Sequence, residues 1–312
     1  MSILVVGTVA LDGIETPFGS ADNIFGGSAT YASLSASYFH DDVRLVSVIG
    51  NDLPQDYLQA LEKRNINLEG LEQRADEKTF SWRGRYHYDL NERDTLATDL
   101  NVLKTFDPIV PARYLDSRIV CLGNLDPGIQ QKVLDQVPDA EFVVADTMNY
   151  WIQQTPDSLR SLLGNVDCLI INDSEARELA DEPNLIRAAS SIRNLGPSTL
   201  VIKKGEHGAM LFTDGVMFSA PAFPLEDIED PTGAGDTFLG GFIGYLAGQQ
   251  LTDEATLKRA VIYGSAMASF VVEAFGPERL LNLNDRTIHR RLRAFRELST
   301  IPAFELPLGS VA

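Results

Sequence analysis

The sequence predicts an α/β fold built on a covered, mostly parallel sheet, and three observations lead there. Short runs rich in Val, Ile and Leu recur, such as Ile3–Val6, Val43–Ile49, Ile119–Leu122 and Cys168–Ile171. Near-continuous apolar strands of this kind are buried on both faces. Helical segments separate them, as parallel pairing requires of its crossovers. The chain of 312 residues, 44% hydrophobic and 22% charged, is long enough to bury a large core.

Taken in order, Ile3–Val6 is a short strand stopped by Gly7, and the small-residue-rich Ala29–Phe39 is a helix. Val43–Ile49 is the next strand and Asp56–Arg64 a helix. Strand Ile119–Leu122 leads to helix Gly128–Val137 and strand Glu141–Ala145. Strand Cys168–Ile171 runs into helix Ser174–Ala180. Strands Leu200–Lys203 and Ala209–Thr213 flank the turn Gly205-Glu206-His207-Gly208. Helices Thr237–Ala247, Asp253–Glu273 and Asp285–Leu298 complete the chain. Two segments break the rhythm: Leu11–Ile24, irregular with Gly and Pro, and Thr79–Tyr88, polar and aromatic with a turn at Asp89-Leu90-Asn91-Glu92. They read either as a small projecting sheet or as surface loops with an edge hairpin. In the second segment Trp82, Tyr86 and Tyr88 alternate with Arg83, Arg85 and His87, so the even set could cover a substrate or bury against protein.

A net charge of −18 opposes binding to nucleic acid or an anionic membrane. An anionic ligand must therefore be held by local positive potential. Cys121 and Cys168 lie in apolar runs and read as buried free thiols, which suits the cytosol. Met1–Gly7 has no basic stretch before its short apolar run, unlike a signal peptide. No segment approaches the roughly 18 apolar residues of a membrane span.

The most informative stretch is Asp230-Pro231-Thr232-Gly233-Ala234-Gly235-Asp236, ahead of an apolar helix. Small residues let backbone N–H groups converge on an anion, and the helix N-terminus adds partial positive charge. Asp236 then stands where a hydroxyl proton could be taken as a phosphate arrives. At a helix start it is expected to be ionised at neutral pH. Other phosphate motifs fail: Gly123 to Gly128 has P-loop glycine spacing but continues with Ile129, and the third glycine of a dinucleotide fingerprint is replaced by Phe238.

Asp230–Asp236 closely resembles the D-x-T-G-A-G-D signature of the ribokinase-like (PfkB-type) carbohydrate kinases. Gly26-Gly27-Ser28-Ala29 before a helix resembles that family's first signature, and Asn172-Asp173-Ser174-Glu175 its N-x-x-E motif. Ile202–Ala209 resembles its nucleotide-side strand-turn-strand, and Asp12 its substrate-binding aspartate. The resemblance implies one three-layer α/β/α domain over 1–312 with a small β-sheet lid from about 11–24 and 79–101. It implies ATP as donor, Mg²⁺, and in some members a monovalent cation such as K⁺. Asp236 would be the general base and Gly233, Ala234 and Gly235 the anion hole. Asn172 and Glu175 would serve Mg²⁺ through water and the phosphates, and Asp230 and Thr232 the monovalent cation. Lys203, Gly205 and Gly208 would lie beside the nucleotide. Asp12, Gly26, Gly27 and Tyr31, with Asn91 of the lid turn, would meet the acceptor. Asp146 and Asn149, at a strand end, are further acceptor candidates because ligands of open α/β sheets gather there. Asn172, Asp173 and Glu175 would equally serve as helix-capping residues.

Departures from the family pattern fall on the acceptor side. Ribose-type members carry Asn at the positions of Ala10 and Tyr31. Losing two amides removes hydrogen bonds that read sugar hydroxyls. Tyr31 offers an aromatic face and one hydroxyl, which suits a sugar ring or a nucleobase. The Gly-Gly loop lacks the Lys of sugar-phosphate kinases, for which Arg83, Arg85 or Arg93 could substitute. The expectation is an ATP-dependent phosphotransferase acting on a primary hydroxyl of a sugar or polyol. A nucleoside kinase and a non-catalytic binding protein are the alternatives. Exchange of lids between two subunits would make a homodimer.

Overall fold

The computed structural model describes residues 1–249 and 252–300. Among the described residues, thirteen strands form two sheets. Those of the main sheet are β1 (Ile3–Val6), β4 (Val43–Ile49), β5 (Ile66–Gln73), β8 (Ile119–Leu122), β9 (Phe142–Ala145), β10 (Cys168–Asn172), β11 (Thr199–Lys203), β12 (Ala209–Thr213) and β13 (Val216–Ala220). Their spatial order is β13-β12-β11-β10-β9-β8-β1-β4-β5. Pairing is parallel from β5 to β11 and antiparallel from β11 to β13. The chain builds outward from β1 in one direction and then, from β8, in the other. The strand order therefore reverses beside β1, where open α/β sheets place their ligands at the carboxyl ends of the strands.

Alternate residues of β1 enter two different cores: Ile3 and Val5 belong to one, Leu4 and Val6 to the other. One face is covered by α1 (Ser28–Ala36), α2 (Gln55–Lys63), α8 (Ala234–Ala247), α9 (Glu254–Val271), α10 (Glu278–Leu281) and α11 (Asp285–Ser299). The opposite face holds α3 (Pro127–Leu134), α4 (Asn149–Gln154), α5 (Pro156–Leu163), α6 (Asp173–Ala180) and α7 (Leu185–Arg193). This is the expected three-layer arrangement. Each buried strand must be apolar on both sides, which is why the runs read as continuous. Cys121 and Cys168 are fully buried thiols in β8 and β10, as expected.

The two irregular segments form the second sheet: β2 (Ala10–Thr16), β3 (Gly19–Gly26), β6 (Phe80–Tyr86) and β7 (Arg93–Asp99), in the order β3-β2-β6-β7. The projecting-sheet reading holds and the loop reading does not. Arg83 pairs with Asp22, Arg85 with Glu15 and His87 with Asp94, so the odd-numbered face turns to lid carboxylates. Tyr86 is buried on the other face, but Tyr88 is 84% exposed, beyond the strand end.

Candidate active site

Four strand ends and two glycine turns meet at one place. Asp146 follows β9, Asn172 ends β10 and Lys203 ends β11, with Asn172 and Lys203 paired in register. Gln130 of α3 fixes the neighbouring strand ends by donating from Nε2 to Gly123 O at 2.9 Å and Asp146 O at 3.1 Å. Asn124, after β8, accepts from Trp151 Nε1 at 2.9 Å, which gives Trp151 a role in orienting this strand end.

The signature loop supplies the opposite wall. Gly233 is left-handed at φ 75° and caps α8, so Asp236 falls in the helix's first turn. The α8 helix lies close on α1, tied by Ser35 Oγ donating to Thr237 O at 2.7 Å. That brings the Tyr31 ring of α1 under the signature: a Cβ on Gly233 would stand 2.5 Å from it. Tyr31 is 1% exposed, so it offers no open face for stacking, contrary to the expectation from sequence. Its hydroxyl is buried without a partner among the described residues, in the field of Asp12, Asp230 and Asp236.

Asp12 is buried, with its carboxylate in the space that a side chain on Gly26 would fill. Gly27, at φ 97°, turns the chain into α1. Burial, then the charges of Asp230 and Asp236, push the Asp12 carboxyl up to about 7. Asp236 also rises to about 7, through burial and then Asp146, with Lys203 and Arg93 opposing. The expectation of a carboxylate fully ionised at neutral pH is therefore corrected. Burial among like charges outweighs the helix terminus, whose field is worth only about 0.3–2 kcal/mol. Glu175 is raised to about 7 by burial and Asp146, and again Lys203 opposes.

Asn172 and Glu175 form a reciprocal capping box on α6. Glu175 Oε2 accepts from Asn172 N and Asn172 Oδ1 from Glu175 N, both at 2.8 Å. The capping reading is thus realised, and it leaves the second Glu175 oxygen available. Asp230 is fully buried and ties two loops together, accepting from Thr232 N at 2.8 Å and Gly276 N at 3.1 Å. Thr232 Oγ1 donates to Tyr86 Oη of the second sheet at 3.2 Å.

That contact folds the small sheet onto the signature. Asn91, expected at the acceptor, instead lies against Gly205 at the end of β11, and its own turn engages its amide. Gly208, at φ 87°, closes that turn against Ala220. Asn149 opens α4 and makes no side-chain hydrogen bond among the described residues. Arg93, which the sequence offers only as a stand-in for the missing Lys, is the cation of the small sheet whose charge reaches Asp146, Glu175 and Asp236. Arg83 and Arg85 are committed to lid carboxylates.

The donor set suits a hard divalent ion. Glu175 and Asp146 are buried carboxylates in mutual repulsion that could each offer an oxygen, and Mg²⁺ takes one or two carboxylates and keeps its waters. Among the described residues there is no cluster of three or more His, Cys, Asp and Glu, so water and ligand oxygens would complete the shell.

The raised carboxyls set a pH dependence of stability. A group whose folded pKa lies above its unfolded value binds more protons when folded. Its contribution is complete below about 4 and is lost as pH rises through about 7. Ligand-free protein is expected to melt at lower temperature as pH climbs from 5 to 8. Asp12→Asn should flatten that slope by on the order of 4 kcal/mol or less across the window. An unchanged slope in thermal melts would refute the buried, raised carboxyl.

A three-layer α/β/α domain with a small sheet tied to a glycine-capped helix terminus, and a carboxylate in that helix's first turn, is an arrangement suited to phosphoryl transfer. The pfkB family carbohydrate kinase model matches residues 17–282, and the chain belongs to that family of kinases. It is 30% identical over 260 residues to a cytidine kinase of Thermococcus kodakarensis, covering 81% of this chain and 91% of that one. It is 28% identical over 261 residues to a nucleoside kinase of Methanothermobacter thermautotrophicus, covering 82% and 81%. Among solved structures, the nucleoside kinase of Methanocaldococcus jannaschii superposes with TM-score 0.75 at 22% identity, covering 94% of this chain and 99% of that one. Aminoimidazole riboside kinase from Salmonella enterica, complexed with aminoimidazole riboside and an ATP analog, gives 0.74 at 20%, covering 94% and 100%.

Proposed function

We propose that this kinase transfers the γ-phosphoryl group of ATP to the primary hydroxyl of a nucleoside ribose. The observation carrying the reaction is the convergence of Asp236, the glycine turn and Lys203 at the carboxyl ends of β9 to β11. The observation favouring a nucleoside over a free sugar is the likeness, over 81% and 82% of this chain, to a cytidine kinase and a nucleoside kinase. It agrees with Ala10 and Tyr31 standing where ribose-type members carry amides. Tyr31 acts through its unpartnered hydroxyl.

In the reaction the acceptor oxygen bonds to phosphorus as the bond to the ADP oxygen breaks, and the hydroxyl proton passes to Asp236. Asp12 accepts a hydrogen bond from an acceptor hydroxyl and Tyr31 donates or accepts another, which fixes the attacking oxygen. The N–H groups of Gly233, Ala234 and Gly235 meet the charge on the phosphoryl oxygens. Glu175 and Asp146 would hold Mg²⁺, which would supply charge neutralisation of the phosphates. The small sheet acts as a lid, with Tyr86 and Arg93 closing over the reacting groups and excluding water.

ADP release over a panel of nucleosides, free pentoses, hexoses and polyols tests the reading. Nucleosides are expected to give kcat/KM at least about 10²-fold above free ribose, since the base adds binding that ribose lacks. A pentose or polyol turned over as well as the best nucleoside would return the acceptor to the sugar class.

A further inference from the structure

We propose that Lys203 is a catalytic residue whose ammonium contacts the transferring phosphoryl group, a role beyond lining the nucleotide side. The proposal rests on the phosphoryl-transfer reading above and deepens it.

Lys203 is the last residue of β11, and its side chain is only 17% exposed. Its Nζ rests on the bare face of Gly235, since a Cβ built there would lie 2.8 Å from Nζ and 3.7 Å from Cε. It therefore rests one residue from Asp236, beside the glycine turn assigned above to the phosphoryl oxygens. The nearest carboxylate oxygen, Asp146 Oδ1, is 3.9 Å away, beyond hydrogen-bond distance. An ammonium carries three donors, and leaving them unmatched in a sheltered position costs free energy. Surrounding groups set the field without consuming the donors: Asp146, Glu175 and Asp236 all feel the Lys203 charge.

A cation near Asp146 and in the field of Glu175 and Asp236, hydrogen-bonded to none of them, is arranged to turn toward an incoming anion. Nitrogen in that position follows the charge on the non-bridging oxygens as the bond to ADP breaks and the bond to the acceptor forms. The hydroxyl proton goes to Asp236, and Lys203 keeps its three protons throughout. A solvated strand-end lysine would lie mostly in water and would not need a glycine beneath its ammonium.

The test uses the full chain with Lys203→Met and with Lys203→Cys alkylated by bromoethylamine, which restores an ammonium on a thioether stem. Cys121 and Cys168 are fully buried, so the introduced thiol is the accessible one. Turnover is measured with the best acceptor, and binding of ADP and of a non-hydrolysable ATP analogue by calorimetry. We expect Lys203→Met to lose about 10²–10³-fold in kcat, the scale of one removed oxyanion donor. ADP affinity should stay within about twofold while preference for the ATP analogue over ADP disappears, because only the third phosphate meets the ammonium. Alkylation should return at least about tenfold of the lost kcat. Lys203→Met within about threefold of the unaltered enzyme, equal weakening of ADP and ATP analogue, or no recovery in a folded alkylated protein would each overturn the proposal. An unaltered protein that neither binds ATP nor releases ADP would instead overturn the kinase reading on which it stands.

Discussion

Asp236→Asn is expected to lose on the order of 10²–10⁴-fold in kcat while ATP binding persists. The amide keeps the shape of the carboxyl but cannot accept the hydroxyl proton. Removing a negative charge beside the anion turn also removes repulsion from the incoming phosphate, so ATP affinity should hold or improve. The pH profile separates a base from a structural cap. In the unaltered enzyme, burial and Asp146 hold Asp236 up to about 7 before ligands bind. Base catalysis needs the deprotonated form, so kcat/KM should rise with pH through that region. Bound Mg²⁺ and the cations Lys203 and Arg93 favour the ionised form, so the kcat profile should turn at lower pH. The residual activity of Asp236→Asn should lack that acid limb. Near-normal kcat in the variant, or an unchanged acid limb, would remove Asp236 from the chemistry.

How much of this was legible in the sequence differs element by element. The parallel strands announced themselves because burial on both faces demands unbroken apolar runs, and their ends located Asp146, Asn172 and Lys203. Edge strand β5 escaped because one side is half open: its Ile66–Gln73 mixes Asn, Glu and Gly with Ile and Leu. Strand β13 escaped for the same reason, with Met217 60% exposed on the sheet edge. Helix α5 carries a readable signal in Pro156 at its first turn and in Leu159, Leu162 and Leu163 at helical spacing, though it is too short for the pattern to stand out. Contacts spanning the chain left no local trace. Nothing near Tyr86 points to Thr232, 146 residues away, and nothing near Asn124 points to Trp151. Arg93 is legible only as one of three arginines that could replace the missing Lys; its polar run does not tell it from Arg83 and Arg85, and only the fold brings its charge to bear on the buried carboxylates. The N-x-x-E spacing has a capping box as its structural consequence, because a side chain three residues on reaches its own helix start.

The sharpest dependence on a single missing side chain falls at Gly233. Its φ of 75° lies in the left-handed region, where an L-residue costs roughly 1–2 kcal/mol. A methyl group would in addition meet three Tyr31 ring carbons at 2.5 to 2.6 Å. That ring cannot retreat, since Tyr31 is fully buried on α1 and α1 is clamped to α8. The turn must yield instead, and its amides swing away from the position of the phosphoryl oxygens. Gly233→Ala should therefore destabilise the protein by roughly 2–4 kcal/mol, combining backbone strain with overpacking. It should also lower kcat by about 10²-fold or more through lost anion-hole geometry. The double variant Gly233→Ala with Tyr31→Ala divides the two causes. Measured against Tyr31→Ala alone, which carries its own cavity cost, adding Gly233→Ala should then cost only the backbone part, while the acceptor KM rises with the loss of the tyrosine hydroxyl. If Gly233→Ala alone melts within about 1 °C of the unaltered protein, less than the shift of a 1 kcal/mol change, the turn is not held against Tyr31 as described. The two turns of the site, donor side and acceptor side, would then be independent rather than built on one buried ring.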